Sequence, residues 1–183
     1  MFAALVQGPV IRLVPVGIML LAIQRTFFVE VTVAGVVIQV LTAFAAACGA
    51  AGGSESGALA GFIMGLMWDL AEGGPLGATS LAMATAGIVA GLLALITVDP
   101  QWWLAALFTG LGTAVGEVMV PVVRFFIGEQ DPFTAQLWVI VPVVGIAGMV
   151  MSPVLVPLAR WCLRIKRADW QAVAQAAEAT DAV

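Results

Sequence analysis

A chain of 183 residues that is 62% hydrophobic and only 10% charged, with a mean hydropathy of +1.11, cannot be an ordinary soluble domain, in which about a quarter of residues are charged. Its net charge of -4 and the lack of a basic patch outside the C-terminal tail argue against a nucleic-acid partner. With no His, and Cys only at 48 and 162, neither a His-based catalytic relay nor a Cys/His metal site can be assembled, and both cysteines read as small apolar fillers.

The composition is that of an integral membrane protein. A spanning helix needs about 20 mostly apolar residues, and cutting the chain at its charges, Gly clusters and prolines gives roughly six such segments. The first runs from about Val10 to Phe28, with Arg12 at its start and Gln24 and Arg25 near its end. Thr26, Phe27 and Phe28 stand where a signal peptide would need small residues, so this is read as a retained span. The second, about Val31 to Gly49, carries Gly35, Gln39, Thr42 and Ala46 at helical spacing, a small and weakly polar face. The stretch AAGGSES, with Glu55, then reads as an aqueous loop.

Span three, about Gly57 to Glu72, has Gly57, Gly61 and Gly65 on every fourth residue, and Asp69 is next on that face. A glycine stripe lets another helix approach closely, whereas an ionisable group in an apolar helix needs a partner. Gly73 and Gly74 make a turn, and Pro75 sits where a helix tolerates it, in the first turn of span four, about Pro75 to Thr97. Ser80, Ala84, Gly87 and Gly91 give that span a small face too, so spans three and four are expected to form a tight antiparallel hairpin.

Asp99 and Pro100 end the hairpin, and Trp102 and Trp103 open span five, about Gln101 to Ile127, at a membrane interface. Within it Gly112 and Gly116 precede Glu117, Pro121 and Arg124, and Glu117 and Arg124 share a face. The acidic loop GEQDPFTAQ leads to span six, about Leu137 to Leu158, whose Pro142, Pro153 and Pro157 predict kinks. The fold class expected is therefore all-α integral membrane, a compact bundle of about six transmembrane helices over residues 1–160. Residues 161–183 form a cytoplasmic tail, basic at Arg164, Lys166 and Arg167 and then Ala-rich, part of it an interfacial helix.

With six spans both termini share a side, which collects Arg12, Arg160, Arg164, Lys166 and Arg167 and is therefore cytoplasmic. Alternation brings Arg25, Asp69, Glu117 and Arg124 to similar depth near the outer side, where a charge cluster is expected. Such a cluster could relay protons or bind an anion. A position near the interface with arginines at hand favours instead mutual pairing that fixes helix register, or partner docking. Asp69 and Glu72 could hold one divalent ion but lack further ligands nearby. No GxSxG, HExxH or phosphate-loop motif is present, and no catalysis, metal or cofactor is expected.

The stretch GFIMGLMWDLAEGGPLGATSLAMATAGIVAG resembles the central signature of the rod shape-determining membrane proteins of the MreD family. Their Gly-Phe start, Gly-Leu pair, Asp, short Gly-containing turn and Leu-Gly pair match Gly61, Phe62, Gly65, Leu66, Asp69, Gly73, Leu76 and Gly77. The resemblance implies a bacterial inner-membrane component of the cell-elongation machinery with no catalysis of its own. It would bind the bitopic protein MreC and, through it, MreB, RodA and a class B penicillin-binding protein. It also implies an architecture like the substrate-binding subunits of energy-coupling-factor vitamin transporters, which supplies the alternative function. On the scaffold expectation Gly57, Gly61, Gly65, Gly77, Gly87 and Gly91 form a helix-packing or partner interface. The lack of Tyr and His and the placing of most Trp near span ends or in the tail speak against a vitamin pocket. An ion- or proton-coupled carrier using Asp69 and Glu117 is the weakest expectation.

Overall fold

In hydrocarbon a backbone must satisfy its own polar groups, so the long apolar runs of this chain become helices. The computed structural model describes residues 10–28, 32–33, 35–73, 75–96, 101–128 and 136–163. Helix α1 spans Val10–Ile23 and ends in a π-helical turn, Gln24–Phe28. A two-stranded antiparallel ribbon follows, β1 Thr32–Val33 paired with β2 Val36–Val37, with Gly35 at φ 78° in its turn. Then come α2 Val40–Glu72, α3 Ala78–Leu95, α4 Trp102–Ile127 and α5 Leu137–Leu163.

Helix α2 is not a straight rod. Gly53 stands at φ 83°, ψ 175°, a conformation that breaks the helix and that only glycine adopts readily. In an unbroken helix residues 49 and 57 would lie about 12 Å apart, yet a methyl group on Gly57 would fall 2.7 Å from the Cα of Gly49. The chain therefore folds back at Gly53. Contacts at the end of α1 agree: Gln24 accepts the Leu41 N–H from the start of α2, while Arg25 pairs with Glu72 at its end.

Three helices among the described residues, α3, α4 and α5, are long and apolar enough to cross a membrane. The expected bundle of about six transmembrane helices is thus corrected to five α-helices among the described residues, three of them of spanning length, and the six-helix likeness to vitamin-transporter subunits is corrected with it. The reasons are local. Helix α1 has 14 residues, about 21 Å of rise against a hydrocarbon thickness of about 30 Å. The expected second span gives its first residues to the β-ribbon, and its remainder runs into the third through AAGGSES, which is helical apart from the fold-back at Gly53. The strands also qualify the all-α expectation. Helix α5 runs on through Leu163, and Arg164, Lys166, Arg167 and Trp170 lie outside the described residues.

The core is built from small side chains. Phe44, Leu13, Leu41, Met64 and Met83 are its largest fully buried members, set among Ala43, Ala45, Ala47, Ala51 and Ala60. Cys48 and Cys162 are free thiols buried in the same cluster. Large apolar side chains on the outside, such as Val150 at 72% and Val154 at 71% exposure on α5, are those that lipid would cover. The opposite ends of the chain meet: Arg12 near the start of α1 donates to the Trp161 carbonyl at 3.1 Å and lies over its ring.

Candidate functional site

The glycine stripe is a seam within the molecule. A Cβ on Gly57 would collide with the Gly87 carbonyl, one on Gly61 with the Met83 carbonyl, one on Gly65 with the Ser80 Cα, and one on Gly91 with the Ser54 backbone. Helices α2 and α3 thus touch backbone to backbone, which explains why the stripe must be glycine. Of the two uses expected for these residues, helix packing describes Gly57, Gly61, Gly65, Gly87 and Gly91. Gly77 does not belong with them, because it has open space around it and sits at φ 98° in the turn before α3. Gly49, which the sequence pattern passes over, joins the seam against Gly87.

At one end of that seam Asp69 meets backbone rather than arginine. Its side chain is 3% exposed. Oδ2 accepts the Gly77 N–H at 2.8 Å and the Ser80 hydroxyl at 3.2 Å, and Oδ1 accepts the Thr79 N–H at 3.3 Å. These donors belong to the first turn of α3, whose amides have no partner within their helix and carry the positive end of its dipole. Gly77 offers no side chain to cap them. The Asp69 carbonyl also accepts the Gly73 N–H, closing α2 with Gly73 at φ 72°. One residue therefore ties off both helices of the turn, and the Asp, Gly73 and Gly77 of the signature each have a conformational reason.

The expected cluster of Arg25, Asp69, Glu117 and Arg124 resolves into separate contacts. Arg25 pairs with Glu72 at 3.4 Å and lies 5.1 Å above the Trp68 ring, both carrying it away from Asp69. Glu72 and Asp69, the pair considered for a divalent ion, are engaged by different partners. Glu117 lies apart from both, on α4, and Arg124, two turns along the same helix, is the cation whose field reaches it.

Glu117 faces a cavity of about 400 Å³ between the β-ribbon, α4 and the start of α5, lined also by Val36, Gln39, Gln136, Val139 and Ile140. It is 7% exposed, and its Oε1 has no hydrogen-bond partner among the described residues. Gln39 is oriented by the Thr42 hydroxyl, which donates to its Oε1 at 3.0 Å. Sequence reasoning places Gln39 on a packing face and Gln136 in a loop, and it reads the ribbon at 32–37 as part of a helix.

A second, apolar groove of about 830 Å³ runs between α4 and α5, lined by Gly110, Leu111, Ala114, Trp138, Gly145 and Met149 among others. Trp138, 88% exposed, stands at its edge. Compared with known protein families, with curated proteins and with solved structures, the chain gives no match to any of them.

Proposed function

We propose that this multi-span membrane protein is a non-catalytic scaffold of the bacterial cell-elongation machinery, of the MreD kind, that helps maintain rod shape and lateral peptidoglycan synthesis by binding MreC. Through MreC it would connect to MreB, RodA and a class B penicillin-binding protein. The observation that carries the reading is the α4–α5 groove. Gly110 and Gly145 close on each other at its floor, and the exposed Leu111, Val118, Trp138 and Ile146 around it offer the helix of a single-span partner packing contacts that lipid makes less well. The glycine seam is already filled by the chain's own helices, so the partner face belongs on α4 and α5.

The orientation proposed is the bacterial inner membrane with both termini in the cytoplasm. Arg12 and Trp161 share one end of the molecule, and Arg160 adds positive charge there.

Purification from native membranes with a photo-crosslinking residue at Ala114 tests the reading. MreC should crosslink from Ala114 and not from Leu81, an exposed residue on α3. Capture of ATPase subunits and a bound vitamin instead would establish the second reading, a substrate-binding subunit of an energy-coupling-factor transporter. That reading has the cavity beside Glu117 in its favour, although its described lining residues include no aromatic side chain.

A further inference from the structure

The cavity beside Glu117 goes beyond a scaffold's needs. A carboxylate more than nine-tenths buried with one oxygen lacking a partner among the described residues is costly unless something supplies a donor. Packing alone would have filled the space or replaced the acid. The volume of about 400 Å³ falls within the range of about 300–1,000 Å³ typical of small-molecule pockets.

We propose that this cavity binds an organic ammonium group, with Glu117 as its counter-ion and the side chains of Gln39 and Gln136 as further hydrogen-bonding partners. Charge and size choose this chemistry. Glu117 is the one carboxylate among the described lining residues, and a single carboxylate suits a single positive charge and leaves a divalent cation under-neutralised. Such an ion would also want six or more oxygen ligands close around it, and a cavity this roomy does not provide them. An ammonium brings three N–H donors, enough to engage the Glu117 oxygen and both amide oxygens. Val36, Val139 and Ile140 offer apolar wall to the carbon skeleton attached to it.

Access is from the aqueous end. Gly35 and Gln136 are exposed and line the cavity, and both stand just outside helices, at the same end of the bundle as Arg25 and Glu72. Two sources offer the same group there: a free small amine from solution, or the headgroup of an aminophospholipid. Arg124 lies about 10 Å further along α4 toward that end, and any anionic group on the ligand would point its way.

The test uses the full chain in nanodiscs of phosphatidylglycerol, with ethanolamine as the free probe and admixed phosphatidylethanolamine as the lipid probe. Saturable ethanolamine binding by calorimetry identifies the free amine as the source. Retention of phosphatidylethanolamine above its bulk fraction by native mass spectrometry identifies the lipid. In either case Glu117→Gln, which keeps the shape and removes the charge, should weaken binding roughly tenfold or more, the scale of one lost charge-assisted hydrogen bond. Ile140→Trp, which fills the cavity and leaves the carboxylate intact, should do the same and decides the matter if the glutamine variant does not fold. Arg25→Gln, outside the cavity, should bind as the parent protein does. Absence of binding of both probes to the parent protein, or undiminished binding in Glu117→Gln or Ile140→Trp, would overturn the proposal. The scaffold reading fails by a different measurement, loss of the MreC crosslink, so the two can be judged apart.

Discussion

The carboxylate of Asp69 receives the backbone N–H of Gly77 at 2.8 Å across the turn that joins α2 to α3. Asp69→Asn keeps the size but turns an NH₂ toward amide donors or leaves them short of an acceptor. Loss of a hydrogen bond to a charged group in a buried site costs about 1–3 kcal/mol. The variant should therefore melt at a lower temperature in detergent and accumulate to lower levels. An unchanged melting temperature would show that the cap contributes nothing to stability.

Within the seam the ranking of glycines is a sharper test than any single variant. Gly61→Ala and Gly57→Ala each drive a Cβ into the facing backbone carbonyl of α3, which cannot move aside as a side chain tip can. Overpacking of this kind costs about 1–3 kcal/mol or more. Gly77→Ala meets no atoms and bears only the strain of a positive φ, about 1 kcal/mol. Thermal melts should order the variants with Gly77→Ala the mildest.

Gly53→Ala probes the fold-back in α2. At φ 83°, ψ 175° an L side chain is excluded even with open space around it, and strain in such a region costs of order 1–3 kcal/mol. A drop in abundance is expected, and normal abundance with an unchanged melting temperature would contradict the turn.

Arg25 and Glu72 should behave differently, because their side chains are 42% and 44% exposed. A double-mutant cycle with Arg25→Gln and Glu72→Gln should give a coupling below about 1 kcal/mol, the range for solvated pairs. A larger value would mean that the pair is shielded in the membrane interface.

For the proposed partner face, Ala114→Leu narrows the α4–α5 groove from its lining without touching the seam. Normal protein levels with lost recovery of MreC are expected. Normal recovery would move the contact elsewhere.

Much of the central turn was legible because its signals are local. The four-residue glycine spacing, Pro75 and the paired turn glycines foretell a close helix pair over the region where α2 and α3 meet. Asp69 is also legible as a group in need of a partner. Its partner is not, because counting charges overlooks the amides of a helix start, which have no one-letter code. The ribbon at 32–37 lay hidden for another reason: a short run of β-branched residues around Gly35 reads equally well as buried helix. Since that ribbon walls the cavity, the setting of Glu117 was hidden with it. The count of spans erred where a length window treats every apolar run as a full crossing, and 14 residues of α1 are not one.

The clasp between Arg12 and Trp161 has a practical side. Because the first and last described helices close on each other, the stretch from Arg12 to Trp161 is a ring in all but covalent bond. On the proposed topology, halves of a split fluorescent reporter attached to the two ends would lie on one side of the bilayer and find each other within a single molecule. Their glow would report the intact fold and, in a compartment-specific version, the sidedness of the protein.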